Sequence, residues 1–155
     1  LLLGVHAFYR STLADQFLHT AKLSQEEKVF RQRAISILER LGIAEYKDMP
    51  PMGLPYGVLK KVELARTLMS SPRMIILDEP AAGLNDAETE DLTEIIRLIR
   101  DEFRCTIFLV EHDMNLVMNV CDTICAISFG KKLAIGTPKQ IQTDRLVQEA
   151  YLGTE

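Results

Sequence analysis

The run Met74-Ile75-Ile76-Leu77-Asp78-Glu79-Pro80 constrains this chain more than any other stretch. Four large apolar residues, two of them β-branched, read as a short strand buried on both faces, the kind that belongs to a parallel sheet covered by helices. Two adjacent carboxylates end it. Pro80 has no N–H to donate and stops the ladder. In an open α/β sheet the C-terminal edge of the strands is where ligands bind. There Asp78 and Glu79 can divide labour, one holding a hard cation such as Mg²⁺ through oxygen, the other orienting or deprotonating a water. The alternative is an ordinary strand whose acidic end faces solvent.

The residues after this strand build a second one like it. Small residues occupy positions 81–86, and Asn85 is a good N-cap with Glu88 three positions on. The helix that starts there carries Leu92, Ile95, Ile96 and Ile99 on one face and is expected to run to about Phe103. Residues 105–110 form a second apolar, β-branched run, so the unit is strand, helix, strand, with parallel strands and a right-handed crossover. This strand ends in Glu111-His112-Asp113. Parallel strands deliver their C-terminal ends to one rim, which is expected to bring His112 towards Asp78 and Glu79. A purely structural histidine is the other reading. A short helix over 114–120 comes next, then strands over 123–129 and 132–135 joined as a hairpin, with Gly130 supplying any positive φ. Thr137 and Pro138 open a further helix. The end is amphipathic, with Leu146, Val147, Ala150 and Leu152.

The first part reads as helical. Residues 1–22 place Leu13, Phe17, Leu18 and Ala21 at helix-like spacing, with His6 and His19 lacking any partner motif and therefore structural. Ser24 and Glu27 form a capping box, and the stripe Phe30, Ala34, Ile37, Leu38 and Leu41 ends at Gly42 in a left-handed stop. Residues 49–57 are dense in Pro and Gly and mark a boundary. Val58, Val62, Ala65, Leu68 and Met69 then share a helical face until Ser70-Ser71-Pro72. A glycine-containing turn feeding a helix N-terminus is a ready anion site, or simply a loop before a core helix. Two regions are expected, a helical subdomain over 1–72 and a sheet-bearing part over 73–155.

With 155 residues, 47% hydrophobic, 26% charged and a net charge of −4, the chain has the balance of an ordinary globular domain. The mild acidity argues against a nucleic-acid partner. No apolar run approaches the roughly 18 residues of a membrane span, and the opening Leu1 to Val5 lacks the flanks of a signal peptide. Cys105, Cys121 and Cys125 make neither a disulfide framework nor a zinc site, so a reducing cytoplasm is expected. The start without Met, in mid-pattern, points to a piece of a longer protein.

Together these elements resemble the C-terminal two-thirds of the ATP-binding subunit of an ABC transporter. Leu54-Pro55-Tyr56-Gly57 with residues 60–66 looks like the family's signature segment and its helix. Residues 75–79 look like the Walker B strand, 82–85 like the D-loop, and Glu111-His112-Asp113 like the switch-histidine loop. The Tyr-Gly signature, Pro80-Ala81-Ala82-Gly83-Leu84-Asn85, Glu111-His112-Asp113-Met114 and Ala150-Tyr151-Leu152-Gly153 most resemble subunits that energise branched-chain amino-acid uptake in bacteria; lipopolysaccharide-export ATPases are similar. The resemblance implies a partial P-loop NTPase (RecA-like) parallel sheet flanked by helices, preceded by the ABC helical subdomain. It implies that Asp78 holds Mg²⁺, Glu79 polarises the attacking water and His112 contacts the γ-phosphate. It implies that Leu54, Pro55, Tyr56, Gly57 and Asn85 are nucleotide-binding positions, the signature residues acting on ATP held by a second ATP-binding subunit in a head-to-tail dimer. Transmembrane permease subunits are the other implied partners, at the cytoplasmic face of the plasma membrane.

Three departures qualify these implications. Pro55 stands where the family usually has Ser, Val58 where it usually has Gln, and no Gly-x-x-x-x-Gly-Lys-Ser/Thr occurs anywhere in the chain. Residues 1–155 alone are therefore expected neither to bind ATP tightly nor to hydrolyse it. In the family's sheet, the strand before the absent loop lies between the second strand here and the one beginning near Thr123, so apolar edges prone to swapping or association are expected. The rival reading is a non-catalytic interaction module derived from such a domain. A DNA-associated ATPase of the superfamily fits less well, since no sustained heptads are present.

Overall fold

A computed structural model describes residues 1, 2, 4 and 21–152, with the side chains of residues 22 and 152 excluded. The helix-like spacing of Leu13, Phe17 and Leu18, and both His6 and His19, lie outside the described residues. The elements are α1 (Ala21–Arg40), α2 (Tyr56–Leu68), β1 (Met74–Asp78), α3 (Asp86–Glu102), β2 (Thr106–Val110), α4 (Met114–Val120), β3 (Ile124–Ser128), β4 (Lys131–Gly136), α5 (Pro138–Thr143) and α6 (Arg145–Val147). They fall into two compact units, one of residues 1–76 with 98–108 and one of 77–97 with 109–155.

In the first unit, α1 is already under way at Ala21, so Ser24 sits inside the helix and not at its cap. Its end is the predicted one. Gly42 adopts φ 67°, its N–H donates to the Glu39 carbonyl at 3.1 Å, and the Ile43 N–H donates to the Leu38 carbonyl at 2.9 Å, which together close the carbonyl end of the helix. Ala34, Ile37, Leu38 and Leu41 are buried together with Leu64, Ala65, Leu68 and Met69 of the second helix region. Leu64, absent from the predicted stripe, belongs to that face, whereas Val58 and Val62 are only half-buried. The Arg33 guanidinium donates to the Leu68 carbonyl at 3.1 Å and to the Ser71 hydroxyl, setting a cation at the negative end of α2.

Strands β1 and β2 pair with each other, and β3 pairs with β4, as two separate two-stranded sheets. The Thr106 N–H donates to the Arg73 carbonyl at 3.0 Å, and the Glu79 N–H to the Val110 carbonyl at 2.9 Å, so β1 and β2 run parallel, as predicted. The expectation that β1 is buried on both faces is not met. Ile75 and Leu77 are buried, but Met74 is 52% and Ile76 68% exposed. An apolar run cannot report how many of its faces other elements cover. The helix between the strands meets its prediction closely: Leu92, Ile95, Ile96 and Ile99 are all buried along one stripe of α3.

In the second unit a core of Val117, Ile124, Ala126, Ile141 and Val147 forms beneath the hairpin, with Leu109, Met118 and Leu133 packed against it. Leu146, expected on the inner side of the closing segment, is 55% exposed, because Asp144 caps α6 and turns Val147 inward instead. The Gln140 side chain returns to the Thr137 N–H at 2.9 Å at the start of α5. The hairpin register pairs Ser128 with Lys131, leaving Phe129 and Gly130 as a two-residue turn with φ of 47° and 75°. Both central residues, not Gly130 alone, are left-handed, which is the type I′ requirement that Asn-Gly meets best. Phe129 is fully exposed and gains nothing there. Phe129→Asn is expected to raise stability by about 0.5–1 kcal/mol, read as a higher thermal unfolding midpoint; a lower one would contradict the turn assignment.

Candidate functional site

The site lies at the C-terminal ends of β1 and β2, within the second unit. Asp78 ends β1 with its side chain exposed. Glu79 follows with φ of 45°, a left-handed backbone that non-glycine residues occupy only at a cost on the order of 1 kcal/mol. Its N–H donates to the Val110 carbonyl, the last rung of the ladder. Pro80 is buried and offers no N–H. The chain then turns tightly, with Ala82 N–H donating to the Glu79 carbonyl at 3.1 Å and Leu84 N–H to the Ala81 carbonyl at 3.0 Å, while Gly83 adopts φ 80°. Asn85 closes a capping box as predicted: its side-chain oxygen accepts the Glu88 N–H at 3.0 Å, and Glu88 accepts the Asn85 N–H at 3.0 Å. The Asn85 side-chain oxygen is thus committed to α3.

At the end of β2, His112 presents Nδ1 at 3.8 Å from Glu79 Oε1 and 3.6 Å from Glu111 Oε2. The side chains of His112 and Glu79 are 74% and 57% exposed, so both are open to a ligand approaching the rim. Of the predicted approach of His112 to Asp78 and Glu79, the contact with Glu79 is therefore present. Asp113 is a cap, its carboxylate accepting the Leu116 N–H at 3.0 Å at the start of α4. The residue that sequence reasoning left without a role is Glu111. Its side chain is 1% exposed, and its carboxylate accepts N–H groups from Ala81 at 2.9 Å, His112 at 2.8 Å and Asp113 at 3.3 Å. The available signal was a carboxylate placed directly after an apolar strand and before the histidine.

The candidate anion segment belongs to the first unit. Tyr56 opens α2, two positions before the predicted stripe, so Gly57 lies in the first helical turn and the positive φ of 106° belongs to Gly53. Pro55 is the N-cap residue and makes no side-chain cap bond. Leu54 is half-buried before it, and the Lys60 ammonium lies 5.4 Å from the centre of the Tyr56 ring. A first helical turn leaves backbone N–H groups without intrahelical acceptors at the positive end of the dipole, which suits an anion.

As a chemical arrangement, the rim offers two solvent-open carboxylates and an imidazole at the ends of parallel strands. Oxygen donors of this kind suit a hard cation held jointly with phosphates, and the exposed side chain of Asp78 leaves its oxygens accessible for that.

A family model described as ABC transporter matches residues 5–82, and one described as branched-chain amino acid ATP-binding cassette transporter matches residues 131–155. The chain is 39% identical over 153 residues to the high-affinity branched-chain amino acid transport ATP-binding protein LivG of Escherichia coli (strain K12), an alignment covering 99% of this chain and 60% of LivG. It is 31% identical over 125 residues to the lipopolysaccharide export system ATP-binding protein LptB of Haemophilus influenzae, covering 81% of this chain and 52% of LptB. Among solved structures, the ADP conformation of MJ1267, an ATP-binding cassette of an ABC transporter, superposes with a TM-score of 0.76 at 27% identity, covering 99% of this chain and 61% of that one. The fold is thus that of a RecA-like, P-loop NTPase-type ATP-binding domain, seen over part of its length.

Proposed function

This chain belongs to the ABC-transporter family of ATP-binding subunits, and from that premise we propose that the whole protein hydrolyses ATP to drive uptake of branched-chain amino acids. The observation that carries this reading is the meeting of Glu79 and His112, from two different strands, at 3.8 Å on one solvent-open rim. Phosphoryl transfer asks mainly for positioning and charge stabilisation, and the rim supplies groups for both. In this reading Asp78 holds Mg²⁺, Glu79 orients and polarises the attacking water, and His112 donates towards the terminal phosphate. Mg²⁺, when bound, neutralises charge on the phosphate oxygens.

The segment Leu54 to Gly57 acts on nucleotide held by a second ATP-binding subunit in a head-to-tail pair, and Asn85 lies at the same interface. Residues 1–72 form the helical subdomain and residues 73–155 the later part of the ATPase core. Transmembrane permease subunits receive the work, and the protein sits at the cytoplasmic face of the membrane as a peripheral subunit. Among the described residues no helix is long and apolar enough to cross a membrane.

Support for the amino-acid cargo comes from the alignment with LivG over nearly the whole chain and from the family match at residues 131–155. Lipopolysaccharide export is a second reading, favoured only by the shorter match to LptB. Transport reconstituted from the full-length subunit and its membrane neighbours, with competing substrates, separates them: leucine-stimulated ATP turnover supports the first, and its absence beside lipopolysaccharide-stimulated turnover supports the second. Full-length protein that shows no MgATP turnover at all would leave the non-catalytic module. Residues 1–155 alone lack a phosphate-cradling Gly-x-x-x-x-Gly-Lys-Ser/Thr loop. Titration calorimetry of this chain with MgATP is expected to show no micromolar binding, and micromolar affinity would overturn that expectation.

A further inference from the structure

Glu79 and His112 are carried by different loops, and each is largely exposed, so nothing in their own packing holds them 3.8 Å apart. Something else must fix the interval between the loops. The backbone ladder ties Glu79 itself to β2 through its last rung, the Glu79 N–H to the Val110 carbonyl, but goes no further, because Pro80 then removes the donor. The next N–H along β1's exit, that of Ala81, is taken by Glu111 Oε1 at 2.9 Å. The other oxygen of the same carboxylate, Oε2, accepts from His112 at 2.8 Å and Asp113 at 3.3 Å. One planar group therefore grips the loop bearing Glu79 with one oxygen and the loop bearing His112 with the other.

We propose that Glu111 is a positioning residue for the reaction: its buried carboxylate extends the β1–β2 pairing past Pro80 and sets the separation of Glu79 from His112. The proposal rests on the ATPase reading for its catalytic value, while the clamp itself rests on the hydrogen bonds alone. Three N–H donors to one carboxylate are charge-assisted and compensate its burial. Glutamine in its place keeps the shape but turns an amide NH₂ towards one of the two loops, so one side of the clamp opens. The His112 backbone lies in an exposed setting where water can take over its N–H, so loosening without unfolding is the expected result.

The test is a double-mutant cycle in the full-length subunit, with the parent, Glu111→Gln, His112→Ala and the double variant compared for kcat and KM with MgATP. Glu111→Gln is expected to lower kcat about tenfold or more with KM moving less than about threefold, and to cost less than about twofold once His112 is already Ala, because a residue acting through another has nothing left to act on. An equal penalty in both backgrounds overturns the proposal and marks Glu111 as merely structural. Amide hydrogen exchange on the same proteins provides a readout independent of turnover. In Glu111→Gln, protection at Ala81 or at His112 and Asp113 is expected to fall while that of the α3 amides holds; unchanged protection at all three overturns the clamp. A parent that hydrolyses no ATP sinks the proposed activity instead, and the exchange measurement then decides the clamp by itself.

Discussion

Glu79→Gln in the full-length protein is expected to lower kcat for MgATP by about 10²–10⁴-fold, the range removed with a positioned general base. Affinity for MgATP should change little, because the amide is isosteric and the side chain is open to solvent. Steady-state turnover and equilibrium nucleotide binding on the same preparations check both halves. Turnover equal to the parent's would end the assignment of Glu79. The backbone adds a second expectation at the same position. Glu79 sits at φ 45°, where glutamate is strained and asparagine is tolerated. Glu79→Asn should therefore fold at least as stably as the parent, gaining up to about 1 kcal/mol while losing activity. A strained residue whose side chain makes only solvent-open contacts has no stabilising reason to be glutamate. A loss of more than about 1 kcal/mol in Glu79→Asn would show that the carboxylate supports the fold after all.

Ile99→Ala should cost about 2–5 kcal/mol, the transfer of the lost methylenes plus the cavity they leave. Ile99 is fully buried on α3 and in the same stripe as Leu92, Ile95 and Ile96. A domain of this size has only about 5–15 kcal/mol of net stability, so the loss is a large share of the whole. Denaturant titration of parent and variant at one temperature measures it, and a thermal midpoint lowered by roughly 4–20 °C is the companion result. Ile99→Val should cost only about 0.5–1.5 kcal/mol. An alanine variant within about 0.5 kcal/mol of the parent would mean that this part of α3 does not seat as described.

The exposed face of β1 shows where a strand's composition misleads. Met74 and Ile76 are as apolar as Ile75 and Leu77, and only the second pair is covered. A parallel strand in a sheet clothed on both sides needs apolar residues at every position, but an apolar run does not by itself say that both faces are covered. The chain spans 60% of the length of LivG.

What the sequence by itself determined is everything decided within a turn or two of chain. The buried stripe of α3, the Asn85–Glu88 box, the left-handed stop at Gly42 and the breaker at Pro80 depend on residues a few positions apart. The order of the motifs carried the family as well. The tertiary structure alone decided that Glu111 is the buried member of Glu111-His112-Asp113, that Glu79 is left-handed, and that β1 keeps one open face. Each of these depends on which distant strand end lies alongside. A carboxylate goes inside only where enough N–H groups converge to replace its water, and those come here from two loops that meet only when β1 and β2 pair.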